Sequence, residues 1–214
     1  MGGCALINVS GCHVGRLGRV IAGMLCLCAV VLDAQAGAPG FAEIRSGYKS
    51  SYAELHDRDG KFLHARRVDL TSNRLRWVPL ADISPALSEA VVFAEDREFW
   101  QHSGVDWSAT ALAAMKMVTG DSTRGASTIT MQLAGLLDKE LAWRSGGRSL
   151  SQKWSQMQAA RDIERSWSKP EIIEAYLNLV SFRGDLQGIA ATSRALFGKQ
   201  PAGLTRNESL LLAS

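Results

Sequence analysis

The chain has 214 residues, 46% of them hydrophobic and 21% charged, with a formal net charge of +3. That is one globular domain with a sizeable core plus an N-terminal segment. The mild basicity suits an anionic lipid surface or a phosphate ligand, and no Lys/Arg run or basic tract interleaved with aromatics points to nucleic acid.

Arg16 and Arg19 precede an apolar run from Val20 to Leu32, and Ala34-Gln35-Ala36 follows it. A positive segment, a short apolar stretch and an A-x-A site make an export signal over residues 1–36. The run is about 13 residues, against the roughly 20 that span a bilayer. A cleaved signal fits on local grounds, and an uncleaved anchor is the rival. All four cysteines (Cys4, Cys12, Cys26, Cys28) fall within this segment. The body therefore has no disulfide framework, zinc spacing or thiol nucleophile, as suits an oxidising compartment.

Residues 37–51 contain Gly, Ser and Pro and read as a linker. Tyr52 to Val68 reads as a hairpin turning at Asp57-Arg58-Asp59-Gly60. After Pro79 the chain reads as almost wholly helical. Ser84 with Pro85 opens a helix. Leu87, Val91, Glu95 and Phe99 follow at four-residue steps, as if on one line of its surface. Asp106 caps a helix through Val118. Ser127 is the expected cap of a helix to about Leu137. Asp138 to Ser149 is irregular, and Ser151 to Trp167 is amphipathic. Ser168 and Glu171 form a capping box for a helix to Val180. Phe182 to Gly188 reads as a loop, and Ile189 to Phe197 as a helix stopped by Gly198. Thr205 and Glu208 form a second capping box. Its helix has barely begun at Leu210–Ala213 when the chain stops, which reads as a fragment.

Two segments carry chemistry. The first runs from Glu95 to Asp106 and includes Asp96, Phe99, His102 and Gly104. Glu95, placed among apolar neighbours, is expected to be desolvated and so to serve as a general base. The plain alternative is a helix-end glutamate in a surface salt bridge. Asp96 and Asp106 have readings as helix-end and cap residues, and His102 as a helix cap or a substrate ligand. Gly104 is expected at a positive φ. The second segment, Gly125 to Gln132, places Ser127, Thr128 and Thr130 at a helix start, where free N–H groups and the dipole attract anions such as pyrophosphate. For Gln132, Lys153 and Arg161, solvated helix faces are the default.

The order of these segments resembles glycosyltransferase family 51, the peptidoglycan glycosyltransferase domain of class A penicillin-binding proteins, over residues 57–214. The family's first motif, E-D-x-x-F-x-x-H-x-G-x-D, stands here as Glu95, Asp96, Phe99, His102, Gly104 and Asp106. Its second, G-x-S-T-x-x-Q-Q-x-x-K-N, is met by Gly125, Ser127, Thr128 and Gln132, and departs at Met131, Gly135 and Leu136. Its third, R-K-x-x-E, keeps Lys153, with Gln152 for the arginine and Gln156 for the glutamate. Its fourth is met by Lys169, Ile172, Ile173, Tyr176, Leu177 and Asn178. Met131-Gln132 and Gln156 are most like the 1C branch of those proteins.

The resemblance implies a mainly α, lysozyme-like fold over residues 52–214. It implies a membrane enzyme on the periplasmic side that polymerises lipid II onto a lipid-linked glycan strand and releases undecaprenyl pyrophosphate, beside other cell-wall synthesis proteins. Glu95 maps to the base. Asp96, His102, Arg124, Ser127, Thr128, Gln132, Lys153 and Asn178 map to substrate-binding positions, and a divalent cation (Mg2+ or Mn2+) is expected to assist. Leu136 to Leu150 maps to a small hydrophobic subdomain at the membrane. The alternatives are a lysozyme-like glycan-cleaving enzyme and a catalytically weak module that binds glycan or lipid II.

Overall fold

The computed structural model describes residues 38–119, 127–138, 140–141 and 150–214. The export segment at 1–36 and most of the stretch from Leu136 to Leu150 lie outside the described residues. Among the described residues, no helix is long and apolar enough to cross a membrane.

The fold is mainly helical with a small hairpin, as expected. The stretch read as a linker holds a helix, α1 (Phe41–Gly47). Its Gly, Ser and Pro content misled the reading. Phe41 and Ile44, one turn apart, pack on the core. Phe41 meets Trp167 and Trp77 edge-on at 5.4 and 6.1 Å, and Trp167 Nε1 donates to Pro39 O at 3.0 Å. Strands β1 (Tyr52–His56) and β2 (Phe62–Arg67) pair antiparallel, with Tyr52 opposite Arg67 and a register shift at Leu55/His56. Asp57 Oδ1 closes their turn by accepting from the backbone of Asp59 and Lys61 at 2.9 and 2.8 Å.

Helix α2 (Pro85–Glu95) starts at Pro85 as read, but Ser84 does not cap it with its side chain. The hydroxyl instead donates to Leu204 O at 3.0 Å. Asp106 does cap α3 (Trp107–Thr119), accepting from Ala109 N at 2.9 Å and Ser108 Oγ at 2.6 Å. These bonds, the Ser108 hydroxyl first, hold its carboxyl below the ordinary carboxylate range. Helix α4 (Ile129–Leu137) buries Ile129, Thr130, Met131, Leu133 and Ala134. It packs between α5 (Leu150–Ser166) and α6 (Lys169–Leu179). With three large apolar side chains enclosed (Ile129, Met131 and Leu133), α4 is held by packing on its neighbours rather than by its short length. The loop read at 182–188 is a short antiparallel hairpin, β3 (Ser181–Arg183) and β4 (Leu186–Gln187). Helix α7 (Ile189–Phe197) ends at Gly198 in the left-handed region, as read. Helix α8 (Arg206–Ala213) packs on α2, and its capping box is present.

Two positions need glycine for both conformation and space. Gly104 has φ +89°, and a Cβ there would lie 2.8 Å from the Ala160 carbonyl carbon and oxygen of α5. Gly188 has φ +79°, and a Cβ would lie 2.5 Å from Asn178 O. Gly104→Ala is therefore expected to lower unfolding stability by roughly 3 kcal/mol, combining left-handed strain with a backbone clash. Urea unfolding of the variant against the parent chain checks this.

Glu208 ties the last helix to the body. It accepts from Lys199 Nζ at 2.8 Å and from the Thr205 backbone N–H at 2.8 Å. These partners, Lys199 first, lower its carboxyl from the ordinary 4.5 to about 2. A depressed pKa contributes stability that is present above the unfolded-state value and lost as pH falls through the folded one. The contribution of Glu208 is thus complete above about pH 4.5 and disappears between there and about pH 2. The stability gap between the parent chain and Glu208→Gln is expected to close over that interval in pH-dependent unfolding.

Candidate active site

The site is built where α2 ends and α4 begins. Asp96 follows the last residue of α2, and its carboxylate is buried. Asp96 Oδ2 accepts from the Ile129 backbone N–H at 3.0 Å. Both Asp96 oxygens lie 3.0 Å from His102 Nε2. Ile129 is the first residue of α4, so its N–H has no acceptor within its own helix. Asp96 supplies one and places a negative charge at the positive end of the helix dipole.

Thr128 completes the start of α4. Its hydroxyl accepts from Met131 N at 3.1 Å and donates to Gly104 O at 2.6 Å. The cap is therefore Thr128 and not Ser127. The two hydroxyls are neighbours in sequence, and only the contact with Gly104, distant in the chain, separates them. Ser127 is half-buried just before the helix. Thr130 donates to Glu164 Oε1 at 2.6 Å, and Lys169 Nζ reaches the same oxygen at 2.7 Å and His102 O at 2.7 Å.

With Asp96 turned inward, Glu95 turns outward. Glu95 is exposed, which corrects the expectation of a desolvated carboxylate. The physical reason is helical drift. Each four-residue step overshoots a full turn by about 40°, so the line through Leu87 and Val91 has rotated away from the core when it reaches Glu95. Phe99 is buried, but it lies beyond the helix, in the following turn. Glu95 is nevertheless held. Gln132 Nε2 donates to Glu95 Oε2 at 2.7 Å, and Tyr176 Oη donates to Gln132 Oε1 at 2.9 Å. Helices α2, α4 and α6 each contribute one member of this chain. Burial, and secondarily the negative charge of Glu95, raises the Tyr176 hydroxyl above its ordinary 10.0, so it stays a donor.

The residues matched to substrate-binding positions thus divide. Glu95 and Gln132 meet directly. Asp96, His102 and Thr128 are spent on the internal tie, because each is buried or nearly so with its partners inside the protein. Asn178 is elsewhere: its side chain accepts from Val78 N and donates to Val78 O, both at 2.8 Å, clamping that strand of chain to α6. Lys153 is half-buried on α5 and makes no hydrogen bond or ion pair with a described residue. Arg124 lies outside the described residues. Gln156 is fully buried and donates to Met131 O at 2.7 Å.

Sequence reasoning missed Tyr176 as a site member. A hydroxyl on an otherwise apolar helix face must find a partner when buried, and that was the available signal. It also missed Glu174, which accepts from Trp77 Nε1 at 2.7 Å and Leu80 N at 2.8 Å.

A family model described as Transglycosylase matches residues 59–214. The chain is 42% identical over 137 residues to Penicillin-binding protein 1C of Escherichia coli (strain K12), covering 64% of this chain and 17% of that protein. It is 39% identical over 146 residues to the Biosynthetic peptidoglycan transglycosylase of Agrobacterium fabrum, covering 68% of this chain and 62% of that protein. Against Penicillin-binding protein 2D of Bacillus subtilis it is 37% identical over 140 residues, 64% of this chain and 19% of that protein. The chain thus spans less than two thirds of the length of each of these relatives.

Removing the Asp96 carboxylate leaves Ile129 N–H and His102 without their acceptor. Asp96→Ala is expected to cost about 3 kcal/mol of stability, read as a lower urea midpoint with an unchanged slope.

Proposed function

The chain belongs to the transglycosylase family, and from that membership and this site we propose that it is a peptidoglycan glycosyltransferase that polymerises lipid II into glycan strands. The observation that carries the reading is the pair of adjacent carboxylates with opposite fates. Asp96 is sealed inside as a brace, while Glu95 stands exposed with one oxygen anchored by Gln132. An anchored, accessible carboxylate is what a general base needs.

In this reading Glu95 takes the proton from the acceptor sugar's 4-hydroxyl. That oxygen bonds to the donor's anomeric carbon from the opposite face, giving inversion. The anomeric carbon–oxygen bond breaks, and its electron pair leaves with undecaprenyl pyrophosphate. Lys153, whose amine no described residue binds, stands at the family's basic motif position and is the candidate to neutralise the leaving charge. Arg124 and Ser127 would share that task, the start of α4 being taken by Asp96 and Thr128. Asp96, Thr128 and Asn178 support the site from behind through partners within the protein, and His102 does so through its Nε2, its buried Nδ1 having no partner among the described residues.

The donor set also bears on glycan cleavage. Hydrolysis by the common route uses a second carboxyl group across the scissile bond. Of the positions weighed for that second carboxyl group, Glu164 is committed to internal partners and Gln156 cannot ionise. This supports transfer over cleavage. The described residues contain no group of three or more His, Cys, Asp and Glu side chains that could hold a metal ion. A divalent cation enters the proposal as a companion of the substrate's pyrophosphate. Exposed Trp100, Trp107 and Trp154 are rings of the kind that settle at a bilayer surface, which supports work at a membrane; the outer face of the cytoplasmic membrane and the neighbouring cell-wall synthesis proteins follow from the proposed activity.

The test is Glu95→Gln, which keeps shape and removes basicity. Polymerisation of lipid II is expected to fall by roughly 10²-fold or more, with the unfolding midpoint unchanged because the residue is exposed. Polymerisation near that of the parent chain would remove Glu95 from the mechanism.

A further inference from the structure

We infer that Tyr176 is a positioning residue of this site: its hydroxyl sets the amide of Gln132 so that Gln132 donates to Glu95 Oε2 and leaves Glu95 Oε1 as the proton-accepting oxygen. The inference rests on the reading of Glu95 as the base. It adds which oxygen works and what orients it.

An amide has one donor end and one acceptor end, and Gln132 touches a partner at each. Its Nε2 lies 2.7 Å from Glu95 Oε2, and its Oε1 lies 2.9 Å from Tyr176 Oη. The reversed amide would press an oxygen against a carboxylate oxygen at that distance. It would also turn its N–H2 group toward Tyr176 Oη, which would then have to rotate its hydrogen away and accept. Tyr176 is itself fixed, being 5% exposed within the main apolar core. Gln132 is half-buried and has no third side-chain partner among the described residues. The rigid member of the chain is therefore the tyrosine, and orientation passes outward from the core through the amide to the exposed carboxylate. Glu95 Oε1 has no partner among the described residues and faces no competing donor there. Burial and the charge of Glu95 keep the phenol protonated, so its donor role persists through the neutral pH range.

Tyr176→Phe removes one oxygen and keeps the buried ring. In the full chain it is expected to lower kcat for lipid II polymerisation about tenfold, the scale of one lost hydrogen bond, with KM unchanged. Because Tyr176 acts through Gln132, the double variant Tyr176→Phe/Gln132→Ala should be no slower than Gln132→Ala alone. A second readout does not depend on turnover. The side-chain amide signals of Gln132, assigned by their loss in Gln132→Ala, should be resolved and slow to exchange in the parent chain. They should move to solvent-like positions in Tyr176→Phe. An unaltered kcat, losses that multiply in the double variant, or Gln132 signals indifferent to Tyr176→Phe would each overturn the inference. If Glu95→Gln polymerises normally, the base assignment fails, and the amide signals still decide whether Tyr176 sets Gln132.

Discussion

The arrangement depends on one buried carboxylate. Asp96 sits at the C-terminal end of α2 and accepts the first backbone N–H of α4. Helix ends leave unpaired polar groups, and burying them without partners is costly. Here the end of one helix solves the problem at the start of the other. The result is a joint of fixed geometry between α2 and α4, closed on its far side by His102. Everything chemical is placed relative to that joint. Glu95 is one residue before it, and Gln132 is one helical turn beyond it.

Around the joint, the acidic residues divide their work by burial. Asp96, Glu164 and Glu174 are enclosed with donors from several elements, and they bind the chain to itself. Glu95 is exposed, and its tie among the described residues is the Gln132 amide. The neutral Gln156 fits the same logic. Its amide N–H2 donates to the Met131 carbonyl, which an ionised carboxylate in that place could not do, and its buried Oε1 has no partner among the described residues. At this departure from the family pattern the amide joins α5 to α4 through its nitrogen.

Local signals in the sequence carried much of this fold. The capping boxes at Ser168/Glu171 and Thr205/Glu208, the proline at Pro85 and the glycine stop at Gly198 are each decided within a few residues, so they were legible. Contacts between distant segments were not. Thr128 rather than Ser127 caps α4 because Gly104 stands beside it. The stretch with α1 folds because Trp77 and Trp167 wait for Phe41. The four-residue line through Leu87 and Val91 suggested a buried Glu95, and the drift of a straight helix turned that residue to the surface. Of the site, the Glu95 position was legible from its motif. The Gln132–Tyr176 support was not, because nothing local shows that α4 and α6 bring those two side chains together.

The most direct measurement is hydrogen exchange at the Ile129 amide. A first-turn N–H has no acceptor in its own helix, so any protection at Ile129 must come from a partner outside it. With the Asp96 bond in place, Ile129 should exchange as slowly as Leu133 in the middle of α4, opening only with the whole domain. An Ile129 amide that exchanges at the rate of an open helix terminus, while Leu133 stays protected, would contradict the joint on which the site is built.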